Sequence, residues 1–485
     1  MQTSDAAPAA DDDDRTPSAP GPARLLDRSA VRLREDLAAG ELSAREVTEA
    51  ALAAAQAHAD LGAFALLDAE GARTRAAELD AAHPRVAPRA VPGPHTAYKD
   101  LIDVRGMPTR FGSALLADAP PAAQDDPLAL RLRGAGTVTL GKTTVPEFGL
   151  DSYSENLVTA PARNPLDPTR TAGGSSGGAA AAVAAGILPF APGSDGGGSI
   201  RIPAAACGLV GLKPGRGELP MDEHADTVRN LTVSGPLAHT VEDAALLYDV
   251  MLTPEGLPGR VLSDLRRTVE TARAGDAVDV RRIGVTTASP FAPDLEISLA
   301  RPAVTALTKA AAALDAGGHA VEDLSPYYGE DYHRDFRTVW TAGLLRAPLP
   351  EDAEAHVGAV AAHFLRTARA AGRAEIDDAA HRLEEWSRGV RAQFAAVDVV
   401  MTPVLATAPP PVGHFLAMEP EANYEAQCAF TPYTSMVNVL GLPAVAVPVL
   451  RDERGLNWSV QLIGRPGTSA PLLALAAHLE LLLAG

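Results

Sequence analysis

Between Ala172 and Gly208 the chain carries two blocks of its smallest residues, AGGSSGGAAAAVAAG (172–186) and GSDGGGSIRIPAAACG (193–208). Such blocks restrict what can surround them. Glycine admits backbone angles and close approaches that other residues forbid, and an alanine-rich helix lets neighbouring backbone come close. Each block places serine among glycines, so each predicts a tight turn with a hydroxyl beside closely packed backbone.

The flanking text reads as helices alternating with short strands. SAVRLREDLAAGEL has apolar Val31, Leu33 and Leu37 and ends near Gly40, a C-terminal glycine. SAREVTEAALAAAQAHA opens with Ser43 and has Glu46 three residues on, a capping-box pattern. GTVTLGKTT and RRIGVTT read as strands, followed by the helical LEISLARPAVTALTKAAAALDAGG and the extended HAVEDL. AVDVVMTPVL, GLPAVAVPVL and NWSVQLIG read as further strands, and SAPLLALAAHLELLL as a closing helix. The alternation predicts a layered α/β fold. With no Pro/Gly-rich linker after residue 25, residues 25–485 are expected to form one large domain. The acidic, Ala/Pro-rich residues 1–24 are expected to be a disordered tail.

Acidic residues outnumber basic ones 61 to 42, a formal charge of −19, which argues against binding nucleic acid or an anionic membrane. Two cysteines cannot make a disulfide framework, and Cys207 reads as a small core residue. Neither a cysteine pair nor an HExxH offers a metal site, and His356 and His363 read as solvated residues on an alanine-rich helical stretch. A basic, apolar leader and a long apolar span are both missing, so a cytoplasmic protein is expected.

Ser199 follows Gly196, Gly197 and Gly198. Successive glycine N–H groups can converge on an oxyanion, and a serine ending the run can supply the attacking hydroxyl; a plain tight turn explains the same spacing. A serine nucleophile needs a base. GGSSG, residues 173–177, formally matches the G-x-S-x-G elbow, but that motif needs a strand before it, and RNPLDPTRTA reads as a loop with two prolines. A phosphate-binding loop is the other reading, without the Walker lysine. Lysine also serves as a base once burial keeps it neutral. Lys99, in YKDLIDVRGMPTRFGS, is the lysine of interest, although beside Asp100 it reads equally as a surface ion pair.

Read together, YKDLIDVRGMPTRFGS, GGSSGGAAAAVAAG and GSDGGGSIRIPAAACGLVGLKP resemble, in order, three segments of the amidase signature family, serine hydrolases with a Ser–cis-Ser–Lys triad. The likeness extends through LTVSGPLAHTVEDAALLYDVM and FTPYTSMVNVLGLPAVAVPVL to cover roughly residues 26–483. It implies one domain with a central mixed, twisted β-sheet covered by helices on both faces. It makes Ser199 the nucleophile, Ser175 the bridging serine after a cis peptide at Gly174, and Lys99 the base. The 24-residue separation of Ser175 from Ser199 selects Ser175 over Ser176, which becomes a supporting hydrogen-bond partner. Backbone N–H groups of Gly196, Gly197, Gly198 and Ser199 would form the oxyanion hole. Asp195 and Arg201 would hold the loop as an ion pair. Ala172, Tyr98, Ser194 and Gly196 depart from the commonest family pattern without removing a triad atom.

The resemblance implies hydrolysis of a C–N bond through an acyl-enzyme on Ser199, without metal or organic cofactor. The expected partner is a small amide-type substrate: an aryl or aliphatic amide, a carbamate (urethane) or an ester. FGLDSYSEN, YYGEDYHRDFRTVW and GHFLAMEPEANYEAQCAFTPYT hold many of the aromatics and are the expected pocket walls. Ile202 stands where amidotransferase subunits usually carry glutamine, which favours a stand-alone monomer or homodimer. The alternatives are a catalytic subunit of an amidotransferase complex and a quiet binding subunit of the same fold.

Overall fold

The structure is a computed structural model that describes residues 25–82, 94–220, 227–253, 259–276, 278–347 and 349–484; the expected tail, 1–24, lies outside them. The local signals at its start hold. Ser29 caps a helix over Ala30–Ala39, which ends on Gly40 with φ 72°. Ser43 and Glu46 form the reciprocal capping box of the helix Ala44–Ala57.

Among the described residues, thirteen strands follow. β1 (Phe64–Leu67), β2 (His95–Lys99) and β3 (Val138–Thr143) form a small sheet in the order β1-β3-β2. β4 (Arg163–Asn164) and β5 (Asp167–Thr171) pair as a ribbon. The segment RNPLDPTRTA is therefore not the loop its two prolines predicted; Asn164 caps the turn at Leu166, and the chain folds back on itself. β6 (Phe190–Asp195), β7 (Val210–Lys213), β8 (Val233–Ala238), β9 (Arg282–Val285), β10 (Ala320–Asp323), β11 (Val399–Pro403), β12 (Ala444–Arg451) and β13 (Asn457–Ile463) build the large sheet. Its order is β10-β9-β11-β13-β12-β7-β8-β6. The pairs β10/β9 and β9/β11 are parallel and the others antiparallel, so the sheet is mixed.

Side chains alternate across this sheet, as a two-residue period demands. In β12, Val445 and Val447 join a core shared with helices Val241–Leu252, Arg260–Arg273, Arg301–Ala316 and Ser469–Ala484. Ala446 faces the other side, toward helices Gly177–Ala184 and Arg201–Cys207. Next to it a third, aromatic cluster gathers Tyr332, Phe336, Phe364 and Tyr424. Helices therefore cover both faces, as expected.

Two sequence readings need correction. The helix expected from Leu295 begins at Arg301, with Pro302 in its first turn. Proline is tolerated there but clashes with a preceding turn of helix, so Leu295 and Ile297 pack into the aromatic cluster instead. His356 lies outside the long helix Ala359–Phe394 and meets Asp352 at 3.2 Å. His363 is within that helix, only partly exposed, with Nε2 3.0 Å from Glu421.

The small-residue helix Gly177–Ala184 is buried throughout all but its last turn. A Cβ on Gly178 would fall 2.4 Å from the Thr144 nitrogen and 2.5 Å from the Ala63 carbonyl oxygen. Glycine-to-alanine exchange within a helix ordinarily stabilises by about 1 kcal/mol. Here the obstructing atoms are backbone, so Gly178→Ala is predicted to destabilise by about 1–3 kcal/mol, the range of core overpacking. The midpoint of urea unfolding measures this; an unchanged or raised midpoint would contradict it.

Candidate active site

β6 ends the large sheet, β2 ends the small one, and the two run side by side. Lys99, the last residue of β2, reaches across from one to the other. Its Nζ lies 2.9 Å from Ser175 Oγ, 2.9 Å from Ser194 Oγ and 3.2 Å from the Ser194 carbonyl oxygen. Three oxygens at these distances can accept from an ammonium, and the set also accommodates an uncharged amine. Two N–H groups can donate to Ser194, leaving the lone pair to accept from the Ser175 hydroxyl. Lys99 is buried, and burial pulls its ammonium down to about 7, against the opposing attraction of the Asp195 carboxylate.

The expected surface pairing of Lys99 with Asp100 does not occur. Asp100 turns to Lys142, 3.1 Å away and also buried. Lys142 further donates to Thr109 Oγ1 at 3.0 Å and the Pro108 carbonyl at 3.3 Å. This pair fixes the chain just after β2 and leaves Lys99 without a contacting carboxylate.

The peptide Gly174–Ser175 is cis. Ser154 Oγ donates to the Ser175 carbonyl at 3.3 Å and accepts from Gly177 N–H at 3.0 Å. Ser176 N–H donates to the Ser199 carbonyl at 3.1 Å, tying the two serine segments together, and its hydroxyl lies 3.5 Å from the Ser194 carbonyl. Gly178 N–H donates to the Thr144 carbonyl at 3.1 Å. The N–H groups of Ser176, Gly177 and Gly178 are therefore bound within the protein, which takes three donors from the phosphate-loop reading. The G-x-S-x-G reading fares no better, since no histidine lines either cavity beside these serines.

The nucleophile loop is organised from beneath by Asp195 and Arg201, both fully buried. The expected ion pair is bidentate, with Arg201 Nε donating to Oδ2 at 3.0 Å and a second guanidinium N–H to Oδ1 at 2.9 Å. Arg201 also donates to Asn438 Oδ1 at 2.7 Å, the Thr434 carbonyl at 3.0 Å and Gln461 Oε1 at 2.5 Å. Burial pushes the Asp195 carboxyl up, but Arg201, Lys213 and the Asn438 amide prevail and hold it well below the usual carboxylate range.

This arrangement narrows the expected oxyanion hole. Gly198 N–H donates to Asp195 Oδ1 at 2.7 Å, and a Cβ on Gly198, whose φ is 128°, would strike Thr434 Oγ1. Gly198 thus shapes the loop and is not a free donor. Gly196 and Gly197 line the cavities, and among the described residues no partner takes their N–H groups or that of Ser199. Thr434 Oγ1 donates to the Gly197 carbonyl at 2.7 Å and so orients that peptide.

Ser199 stands where two cavities meet. The larger, about 240 Å³, is lined by Ser175, Ser194, Gly196 and Ser199, with Phe111, Phe148 and Trp340 among its walls. Phe111 and Phe148 both have φ of 54°, a left-handed backbone uncommon outside glycine. Phe148 N–H donates to the Phe111 carbonyl at 2.7 Å. The smaller cavity, about 50 Å³, is lined by Asp151, Ser152, Gly197, Ser199, Phe336 and Gln427 among others. All three segments expected as pocket walls contribute. Sequence reasoning missed Ser194 as a partner of Lys99, although it had marked the position as unusual, and missed Lys142, Asn438 and Gln461, which come from distant segments.

A family model described as Amidase matches residues 46–473. A Mycobacterium tuberculosis (strain ATCC 25618 / H37Rv) protein named as the amidase AmiB2 is 37% identical over 410 residues, 83% of this chain and 85% of its own length. An acylamidase of Rhodococcus erythropolis is 32% identical over 462 residues, 93% of this chain and 94% of its own. The solved structure of a 6-aminohexanoate cyclic dimer hydrolase superposes with a TM-score of 0.83 at 28% identity, covering 95% of this chain and 98% of that one. Small-residue loops, mixed sheet and relatives agree: this chain belongs to the amidase family, the amidase signature enzymes, and is a hydrolase of amide C–N bonds.

Proposed function

We propose that the chain is a stand-alone amidase that works through an acyl-enzyme on Ser199, with Ser175 and Lys99 as its proton relay. The observation that carries this reading is the buried, carboxylate-free contact of Lys99 Nζ with Ser175 Oγ at 2.9 Å, beside the cavity that Ser199 also lines. Neutral Lys99 draws the proton from Ser175, and Ser175 in turn draws it from Ser199 as Ser199 Oγ attacks the carbonyl carbon. In the free enzyme Ser199 Oγ bonds to no described group, so substrate closes this last link, as catalytic hydrogen bonds commonly do.

The N–H groups of Gly196, Gly197 and Ser199 receive the oxyanion. Ser175 then protonates the departing nitrogen and is resupplied from Lys99. Water enters by the reverse of the same relay and releases the acid. The leaving amine faces apolar and aromatic walls, Phe111, Phe148 and Trp340, which favours an aryl or otherwise apolar amine. Carbamates and esters present the same carbonyl and are expected side substrates.

Ser199→Ala is predicted to abolish turnover of a panel of anilides, aliphatic amides, carbamates and esters while leaving the unfolding transition in place. Retention of near wild-type activity would refute the assignment. Lys99→Ala is predicted to lower kcat/KM by several orders of magnitude; a mild loss would place the base elsewhere. Because the relay needs Lys99 uncharged, kcat/KM should rise with pH through an apparent pKa near 7. A profile flat from pH 5 to 8, or one rising only near the ordinary lysine pKa of about 10.4, would contradict the neutral-lysine mechanism.

A further inference from the structure

The smaller cavity beside Ser199 contains a buried acid for which the mechanism has no use. Asp151 is 6% exposed and lines that cavity. Its Oδ1 accepts from Gln427 Nε2 at 2.9 Å, and among the described residues neither lysine nor arginine pairs with it. Gln427 is itself fixed, accepting from Ser152 N–H at 2.6 Å and donating to Asn423 Oδ1 at 2.5 Å. Burial raises the Asp151 carboxyl to about 7; the Gln427 hydrogen bond opposes this, and the charges of Glu147 and Glu155 add to it. Those two carboxylates accept hydrogen bonds elsewhere, Glu155 through Oε2 alone. Glu147 accepts from Ser113 Oγ at 2.5 Å and Gly358 N–H at 2.7 Å, and Glu155 from Gly413 N–H at 2.8 Å. Ser152 also lines this cavity, and its Oγ is buried with no hydrogen-bond partner among the described residues.

A buried carboxyl with no cationic partner, in a locally negative field, is costly to ionise, and a bound cation with N–H donors offsets that cost. We propose that this cavity is the acyl pocket and that it takes a short acyl group bearing a protonated primary amine, which Asp151 holds. The inference rests on the relay reading above. Ser175, which must hand a proton to the leaving nitrogen, lines the larger cavity and not the smaller one. The amine side of the substrate therefore occupies the larger cavity, and the acyl side lies across Ser199 beside Asp151. Size agrees: with a water occupying roughly 10–15 Å³ on this measure, the cavity's 50 Å³ admits only a few non-hydrogen atoms. The substrates so defined are aryl amides of short amino acids, with an ammonium one or two carbons from the scissile carbonyl.

The test compares glycyl and β-alanyl anilides with their uncharged isosteres, propionyl and butyryl anilides, at neutral pH. Wild type is expected to favour the ammonium member of each pair by roughly tenfold or more in kcat/KM, the discrimination of a site whose polar groups go unpaired with the wrong ligand. Asp151→Asn is expected to erase that preference, chiefly through KM. Equal use of charged and uncharged members by wild type would overturn the proposal. So would an Asp151→Asn loss equal for both, since that is what a structural role produces. Labelling of Ser199 by a fluorophosphonate separates the two levels. Labelled enzyme that turns over the alkanoyl anilides without amine preference sinks only the acyl-pocket assignment. Absence of both labelling and turnover sinks the relay reading, and this proposal with it.

Discussion

The contact of Lys99 Nζ with Ser175 Oγ, buried between two sheet edges, is the one on which the proposed chemistry depends. A lysine exposed at the end of β2 would be protonated and could neither accept from Ser175 nor leave it poised. Three features keep Lys99 dry and without a contacting carboxylate. Its strand is buried along its whole length. The neighbouring acid is drawn away by Lys142. Its polar neighbours are uncharged serine oxygens and not a carboxylate. Asp195, whose charge acts on Lys99, is bound bidentately by Arg201.

The Asp195–Arg201 pair organises the opposite side of the site. Removing two charges from water costs free energy that their mutual attraction repays only with good geometry and complete hydrogen bonding. Both conditions are met: Arg201 donates to Asp195, Asn438, Gln461 and the Thr434 carbonyl, and Asp195 also accepts from the N–H groups of Gly198 and Ile200. The pair thereby sets the glycine loop, turning Gly198 toward Asp195 and leaving Gly196 and Gly197 to line the cavities. Its contribution is best understood as positioning, since a buried ion pair is weak support for stability in itself.

Local chemistry was legible in the sequence where the interacting residues are near neighbours. The capping box of Ser43 and Glu46, the left-handed stop at Gly40 and the Asp195–Arg201 pairing all span six residues or fewer, and all are present. Six strands, β3 and β9 to β13, were legible as short extended runs, whereas β4 and β5 were hidden by their prolines. What escaped depends on contacts across the chain. Asp100 lies next to Lys99 in sequence, yet its partner is Lys142, which the parallel pairing of β2 with β3 brings alongside. Gly198 looked like an oxyanion donor because spacing shows that an N–H exists, whereas only the folded loop shows that Asp195 takes it. Asp151 gave no signal, because its isolation results from the packing of a helix more than 250 residues away.

Direct titration of the Lys99 side chain tests the central claim, by following its ε-methylene carbon shift against pH in protein labelled at lysine, with Lys99→Arg to assign the resonance. The account predicts a midpoint near 7. A midpoint at the ordinary lysine value of about 10.4 would mean that the amine is charged at neutral pH, and that it cannot serve as the base.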